Sequence, residues 1–136
     1  MDLLKSFFVA AAGMRAQGER MRVVAENLAN ASSVALGPGG EPYRRKTVVF
    51  ANELDRALGV ELVKVARVGR DESPFTLKFE PGHPSADAEG YVRYPNVNAL
   101  IEMMDLREAQ RSYQANLRVI ETTRTLASRT LDLLRS

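Results

Sequence analysis

Apolar and polar positions divide this chain into two long periodic ends and an irregular middle. From Leu4, alternating steps of three and four residues give Leu4, Phe7, Ala11, Met14, Gly18, Met21, Ala25 and Leu28, apolar everywhere except Gly18. An apolar period of about 3.5 residues predicts an amphipathic helix with a coiled-coil-like seam. Lys5, Arg15, Glu19, Arg20, Arg22 and Glu26 fall on other faces. The small residues Ala11, Gly18 and Ala25 would let a partner helix approach closely at the seam. Ser32-Ser33 and Gly37-Pro38-Gly39-Gly40 are turn signals, so the helix is expected to end near Asn30.

A second seam reads Met103, Leu106, Gln110, Tyr113, Leu117, Ile120, Arg124, Ala127, Leu131 and Leu134, with eight of the ten positions apolar. It begins after Pro95, where Asn96 or Asn98 can cap a helix and Glu102 and Asp105 suit the helix dipole. Such a helix would be about 55 Å long at 1.5 Å per residue, too long to bury in a compact domain of this size. The simplest arrangement is a hairpin in which the two seams face each other. Off-seam Leu3, Phe8, Val23 and Val24 need further partners, which points to packing between subunits.

In the middle the period falls to two. Tyr43–Phe50, Val60–Val68, Phe75–Phe79 and Gly90–Tyr94 read as short strands, punctuated by Gly59, Gly69, Pro74, Pro81-Gly82 and Gly90. The expected fold class is therefore α+β. Residues 1–30 form an N-terminal helix, 31–95 a small β-rich region, and 96–136 a C-terminal helix, the two helices packing as a coiled-coil-like pair. A β region of this size needs the helices for support.

Composition sharpens that division. All six prolines lie between Pro38 and Pro95, and of the nine glycines only Gly13 and Gly18 lie outside residues 37–95. The 136 residues carry a net charge of +2 spread evenly along the chain, so no segment forms a basic face for nucleic acid. With no cysteine, disulfides, thiol nucleophiles and cysteine-ligated zinc are excluded. No stretch approaches the roughly 20 apolar residues of a membrane span. Ser6–Ala12 imitates a signal peptide, but the helical pattern runs straight through the supposed cleavage site.

Candidate chemistry is sparse. The single histidine, His83, sits in the turn Pro81-Gly82-His83-Pro84 and reads as a structural residue. Asp71-Glu72 and Asp87/Glu89 are carboxylates in solvated loops, and Arg44-Arg45-Lys46 reads as a solvated strand face. The glycine turn lacks the Gly-Lys-Ser/Thr of a phosphate loop. Nothing assembles a nucleophile, a base and an oxyanion donor, so neither an enzyme nor a cofactor or metal site is expected.

Several blocks carry a resemblance. Ala12-Gly13-Met14-Arg15-Ala16-Gln17, Arg20 and Asn27-Leu28-Ala29-Asn30-Ala31 are similar to the N-terminal signature of flagellar axial proteins of the rod and hook. Gly40–Phe50 (with Pro42 and Tyr43), Pro81–Val92 (with His83 and Pro84), Tyr94-Pro95-Asn96-Val97-Asn98 and Arg111-Ser112-Tyr113-Gln114-Ala115-Asn116 narrow the resemblance to proximal-rod proteins. It covers nearly the whole chain and is weakest across residues 51–72.

The resemblance implies a structural subunit of the bacterial flagellar basal-body rod, the hollow shaft that transmits torque across the periplasm and encloses the export channel. It implies export through the flagellar type III apparatus without a cleaved signal peptide. Partners would be other rod proteins and basal-body junction and ring components, with no nucleic acid. The terminal helices would pack in the inner layer and the middle segment would sit further out. The assembly interface expected from the seams is Leu4, Phe7, Ala11, Met14, Met21, Leu28, Leu106, Tyr113, Leu117, Ile120, Leu131 and Leu134. The alternative without the resemblance is a soluble coiled-coil adaptor or chaperone with a β insertion.

Overall fold

The computed structural model describes residues 2–136. Helix α1 spans Leu3–Ala29 and helix α2 spans Ala99–Arg135; between them lie β1 (Lys46–Asp55), β2 (Val60–Arg70), β3 (Thr76–Phe79) and β4 (Tyr91–Tyr94). The class is α+β, with long terminal helices packed together and two small two-stranded sheets, β1-β2 and β3-β4. The 37 residues of α2 make a rod of about 55 Å.

Local chemistry explains the boundaries. Asp2 caps α1, its Oδ1 accepting the N–H groups of Leu4 (3.0 Å) and Lys5 (3.4 Å). Asn30 closes the other end, donating its side-chain amide to the Glu26 carbonyl at 2.9 Å. At α2 the cap is Asn98, whose Oδ1 accepts from Leu100 (3.1 Å) and Ile101 (3.4 Å). The β1-β2 turn places Gly59 at φ 67°, while Asp55 Oδ1 accepts from Ala57 and Leu58, both at 3.0 Å. In the antiparallel β3-β4 pair, Thr76 faces Tyr94 and Phe79 faces Tyr91.

The chain forms two compact units that cut across its order. One comprises residues 1–21, 49–67 and 107–136; the other comprises residues 22–48 and 68–106. In the first unit the helices run antiparallel and close. A Cβ on Gly13 would stand 2.7 Å from Asn116 Nδ2, so only glycine fits there without displacing that side chain. About two helical turns further on, Arg20 pairs with Glu108 at 3.6 Å. The distal half of the β1-β2 hairpin belongs to the same unit, where Leu62 and Val63 line a pocket with Ala12 and Arg15. In the second unit the core contains Val23, Val24 and Val92, with Pro42 and Pro95 also buried.

The expectation that the two seams face each other is corrected here. On α1 the buried stripe includes Ala10, Gly13, Val24 and Asn27, one residue before the seam positions Ala11, Met14, Ala25 and Leu28. One residue is about 100° of helix, enough to turn the seam away from the core. On α2 the stripe runs through buried Glu102, Ala109 and Thr123 and half-buried Asn116, three of the four polar. A count of apolar residues therefore passes over it. The close approach falls at Gly13, not at Ala11, Gly18 and Ala25; a Cβ on Gly18 would meet nothing within 4 Å, and Ala25 is exposed.

Candidate assembly interface and a polar clasp

The seam residues form a largely uncovered surface. On α1, Leu4 is 57% exposed and Phe7 39%, while Ala11, Met14, Met21 and Leu28 are half-buried. On α2, Leu117, Leu131 and Leu134 are exposed, and Leu106, Tyr113 and Ile120 are half-buried. Val9, Met103, Met104, Val119 and Leu126 add further exposed apolar area. Among the seam residues, Phe7, Ala11, Met14, Tyr113 and Ile120 come together with Phe8 and Gly18 around an open groove of about 550 Å³. An apolar groove of this kind marks a candidate contact surface, because isolated soluble domains rarely leave large apolar patches wet.

The unit of residues 22–48 and 68–106 contains a dense polar clasp. Asn27, buried to 1% exposure, is its hub. Its Nδ2 donates to the Lys46 carbonyl at 2.9 Å and to Glu102 Oε2 at 3.3 Å. Its Oδ1 accepts the Lys46 N–H at 2.9 Å and the Tyr43 hydroxyl at 2.7 Å. The amide thus pairs with both backbone groups of Lys46 as a neighbouring strand would, and fastens the start of β1 to the end of α1.

Glu102, fully buried in the first turn of α2, accepts from Arg45 Nε, and Arg45 Nη1 reaches Asp71 Oδ2 at 3.3 Å. Burial works against the Arg45 charge, but Glu102 and Asp71 hold its pKa above the ordinary arginine value. Asp71 lies below the usual carboxylate range, chiefly because the Ser73 hydroxyl and N–H donate to it, with Arg45 adding to the effect. Tyr43 is pushed up by its burial and then by the nearby Glu26 and Glu102 carboxylates. Asn96 Oδ1 accepts the Arg45 N–H at 2.7 Å, and its Nδ2 donates to the carbonyls of Asp71 (2.9 Å) and Ser73 (3.1 Å). No buried side-chain nitrogen or oxygen among the described residues lacks a partner, as a buried network requires.

The motif residues therefore divide by role. Asn27, Tyr43 and Asn96 meet in the clasp, and Pro42 and Pro95 are buried in the same unit. Leu28 is half-buried and Ala29 exposed, while Asn30 ends α1. Asn116 faces Gly13, half-buried Tyr113 lines the groove, and Gln114 is exposed. His83 Nδ1 accepts the Ser85 N–H at 3.0 Å within its turn, next to exposed Pro84. Asp87 Oδ1 likewise holds a turn, accepting from Glu89 and Tyr91, both at 2.9 Å.

Sequence reasoning missed the charged half of the clasp. Arg44-Arg45-Lys46 is not a solvated face: Arg45 reaches buried Glu102, Lys46 pairs with Glu26 at 2.6 Å, and Arg44 donates to the Asp71 carbonyl at 2.9 Å. Arg44 also stacks on Phe75, 4.2 Å from the ring centre. The available signal was a carboxylate in the first turn of α2 opposite a run of three cations, although nothing local tells a partner from a dipole cap.

A family model described as "Flagellar basal body rod FlgEFG protein C-terminal" matches residues 88–133, which includes nearly all of α2. The flagellar basal-body rod protein FlgC of Agrobacterium fabrum is 53% identical over 128 residues, covering 94% of this chain and 92% of the relative. The chain belongs to the FlgC family of flagellar basal-body rod proteins. FlgC of Salmonella typhimurium is 47% identical over 135 residues, with 98% of each chain covered. FlgC of Borreliella burgdorferi is 38% identical over 152 residues, with 98% of this chain and 99% of the relative covered. For a FlgC-family chain, exposed apolar faces on the terminal helices suit a structural rod subunit. Among the described residues no helix is long and apolar enough to cross a membrane, and no cluster of metal-ligating side chains is present.

Proposed function

We propose that this chain is a structural subunit of the flagellar basal-body rod that assembles by burying the outer faces of α1 and α2 against neighbouring subunits. The observation that carries this reading is the turn of the apolar seams away from the chain's own core, which leaves residues such as Leu4, Phe7, Leu117, Leu131 and Leu134 exposed. Apolar area removed from water stabilises a contact by about 25 cal/mol per Å², so repeated copies of such a surface favour a polymer. The helices of residues 1–30 and 96–136 would form the inner layer of a hollow torque-transmitting shaft, with residues 31–95 further out. The subunit works without catalysis or cofactor, its His83 and Asp87 serving turns. It reaches the basal body through the flagellar export apparatus, without a cleaved signal, and meets the other rod proteins and the junction and ring components there. The adaptor or chaperone alternative is not favoured, because the FlgC relatives match nearly the whole chain.

Deletion and complementation test the reading. Cells lacking the chain should be non-motile and devoid of complete basal bodies, with both restored by the wild-type gene. A motile deletion strain with complete basal bodies would refute it.

A further inference from the structure

The two helices of the first unit do not end together. Arg20 pairs with Glu108 and Gly13 abuts Asn116, so residue numbers across the pair sum to about 128 or 129. Leu3, the first residue of α1, therefore lies level with residues 125–126 of α2. The remainder of α2 has no α1 beside it, and residues 128–136 are exposed throughout. The nine helical residues beyond that level, 127–135, amount to about 13 Å, and the end of a helix frays unless something packs on it.

This overhang is not polar. Leu126, Ala127, Leu131, Leu133 and Leu134 share one broad side of the helix, interrupted only by Thr130, and the four leucines are exposed, Leu131 to 61%. The same unit carries the open, mainly apolar groove that runs from Phe7 and Phe8 to Gly18 of α1, with Tyr113 and Ile120 of α2 opposite and Arg15 as its one charged lining residue. From Phe7 to Gly18 the groove floor is about 16 Å long, close to the length of the overhang. At Gly18 nothing stands within 4 Å of where a Cβ would be, which leaves room for a large side chain from outside.

We infer that the C-terminal overhang of one copy, through Leu131 and Leu134, seats in the Phe7–Gly18 groove of a second copy. The two surfaces lie at different places on the molecule, so the contact is head-to-tail. Each copy fills its neighbour's groove and offers its own, and the contact repeats without closing on a pair. That is the symmetry a shaft needs and a two-fold dimer lacks. The inference rests on the rod reading and names which face meets which.

A chain without cysteine permits a clean test. Gly18→Cys enters open space and Leu131→Cys replaces an exposed side chain, so neither disturbs the core. The double variant, produced in a deletion strain, is oxidised in isolated basal bodies and run on a non-reducing gel. A ladder of covalent dimers and higher multimers is expected, with neither single variant going beyond a dimer. Wild-type chain present in basal bodies, with the double variant incorporated but unlinked, overturns the contact and leaves the rod reading intact. Efficient dimerisation of Leu131→Cys alone also overturns it, because that marks a symmetric overhang pair. Absence of the wild-type chain from basal bodies defeats the rod reading instead. If only the double variant fails to incorporate, the purified full-length chain is oxidised at high concentration, where the ladder must form; monomers alone overturn the contact.

Discussion

Replacing Asn27 with alanine removes four hydrogen bonds at once: two to the backbone of Lys46, one from the Tyr43 hydroxyl and one to Glu102. Three of these join neutral groups and contribute about 0.5–1.5 kcal/mol each, while the bond to the Glu102 carboxylate contributes about 1.5–3 kcal/mol. Lys46 and Tyr43 are only half-buried and regain some water, which lowers the sum. The expected loss is about 3–5 kcal/mol, a large share of the 5–15 kcal/mol typical of a domain. Urea unfolding of the purified monomer measures it. Near-ultraviolet circular dichroism suits the task, since Tyr43, Tyr91 and Tyr94 lie in the clasp's unit and the chain has no tryptophan. With a slope of about 2 kcal/mol per molar urea, the midpoint should fall by about 2 M. Tyr43→Phe alone should cost about 1 kcal/mol, and the double variant should show coupling of that size, because the hydroxyl bond is already gone in Asn27→Ala. A midpoint for Asn27→Ala within about 0.5 M of wild type, or no coupling to Tyr43, would show that Asn27 is not the hub.

Three further outcomes follow from the geometry. Because the Asp71 carboxyl titrates below its ordinary value in the folded chain, its contribution is present above the unfolded value near 3.8 and is lost as pH falls through the lower folded value; Asp71→Asn should flatten the acid end of the stability–pH curve and leave its slope near neutrality unchanged, as read by denaturant titrations across that range. Leu4→Asp and Leu117→Asp alter exposed seam positions, so the purified monomer should lose less than about 0.5 kcal/mol while motility and basal-body incorporation are lost; a motile double variant would refute the seam's role in assembly. Gly13→Ala should destabilise the monomer by about 1–3 kcal/mol through its clash with Asn116, despite alanine's better helix propensity, and Asn116→Ser should recover most of the loss in thermal melts.

The linear pattern carried a good deal. Proline-free ends read as helices, and α1 ends at Ala29, one residue before Asn30. Alternating runs read as strands, and each has its counterpart in β1 to β4. Such features depend on neighbours along the chain, where backbone hydrogen bonding, caps and side-chain periodicity act. The blocks that resemble flagellar axial proteins were visible too, and Asn27, Tyr43 and Asn96 turned out to share one network across 69 positions of sequence. Their individual roles were not legible. Asn96 looked like a helix cap, yet its amide ties Arg45 to the segment around Asp71, while Asn98 does the capping.

By itself, then, the sequence determined the elements, their order, the fold class and the family. Tertiary structure alone decided which side of each helix faces inward. The apolar count selects the greasiest stripe, and in an isolated globular domain that stripe would be the core. Here the inner stripe uses small and polar residues, Gly13 against Asn116 and Asn27 with Glu102, because close helix approach and a satisfied hydrogen-bond network outweigh bulk hydrophobicity at those positions. The rotation of about 100° that follows leaves the larger apolar residues outside, where only another molecule can cover them.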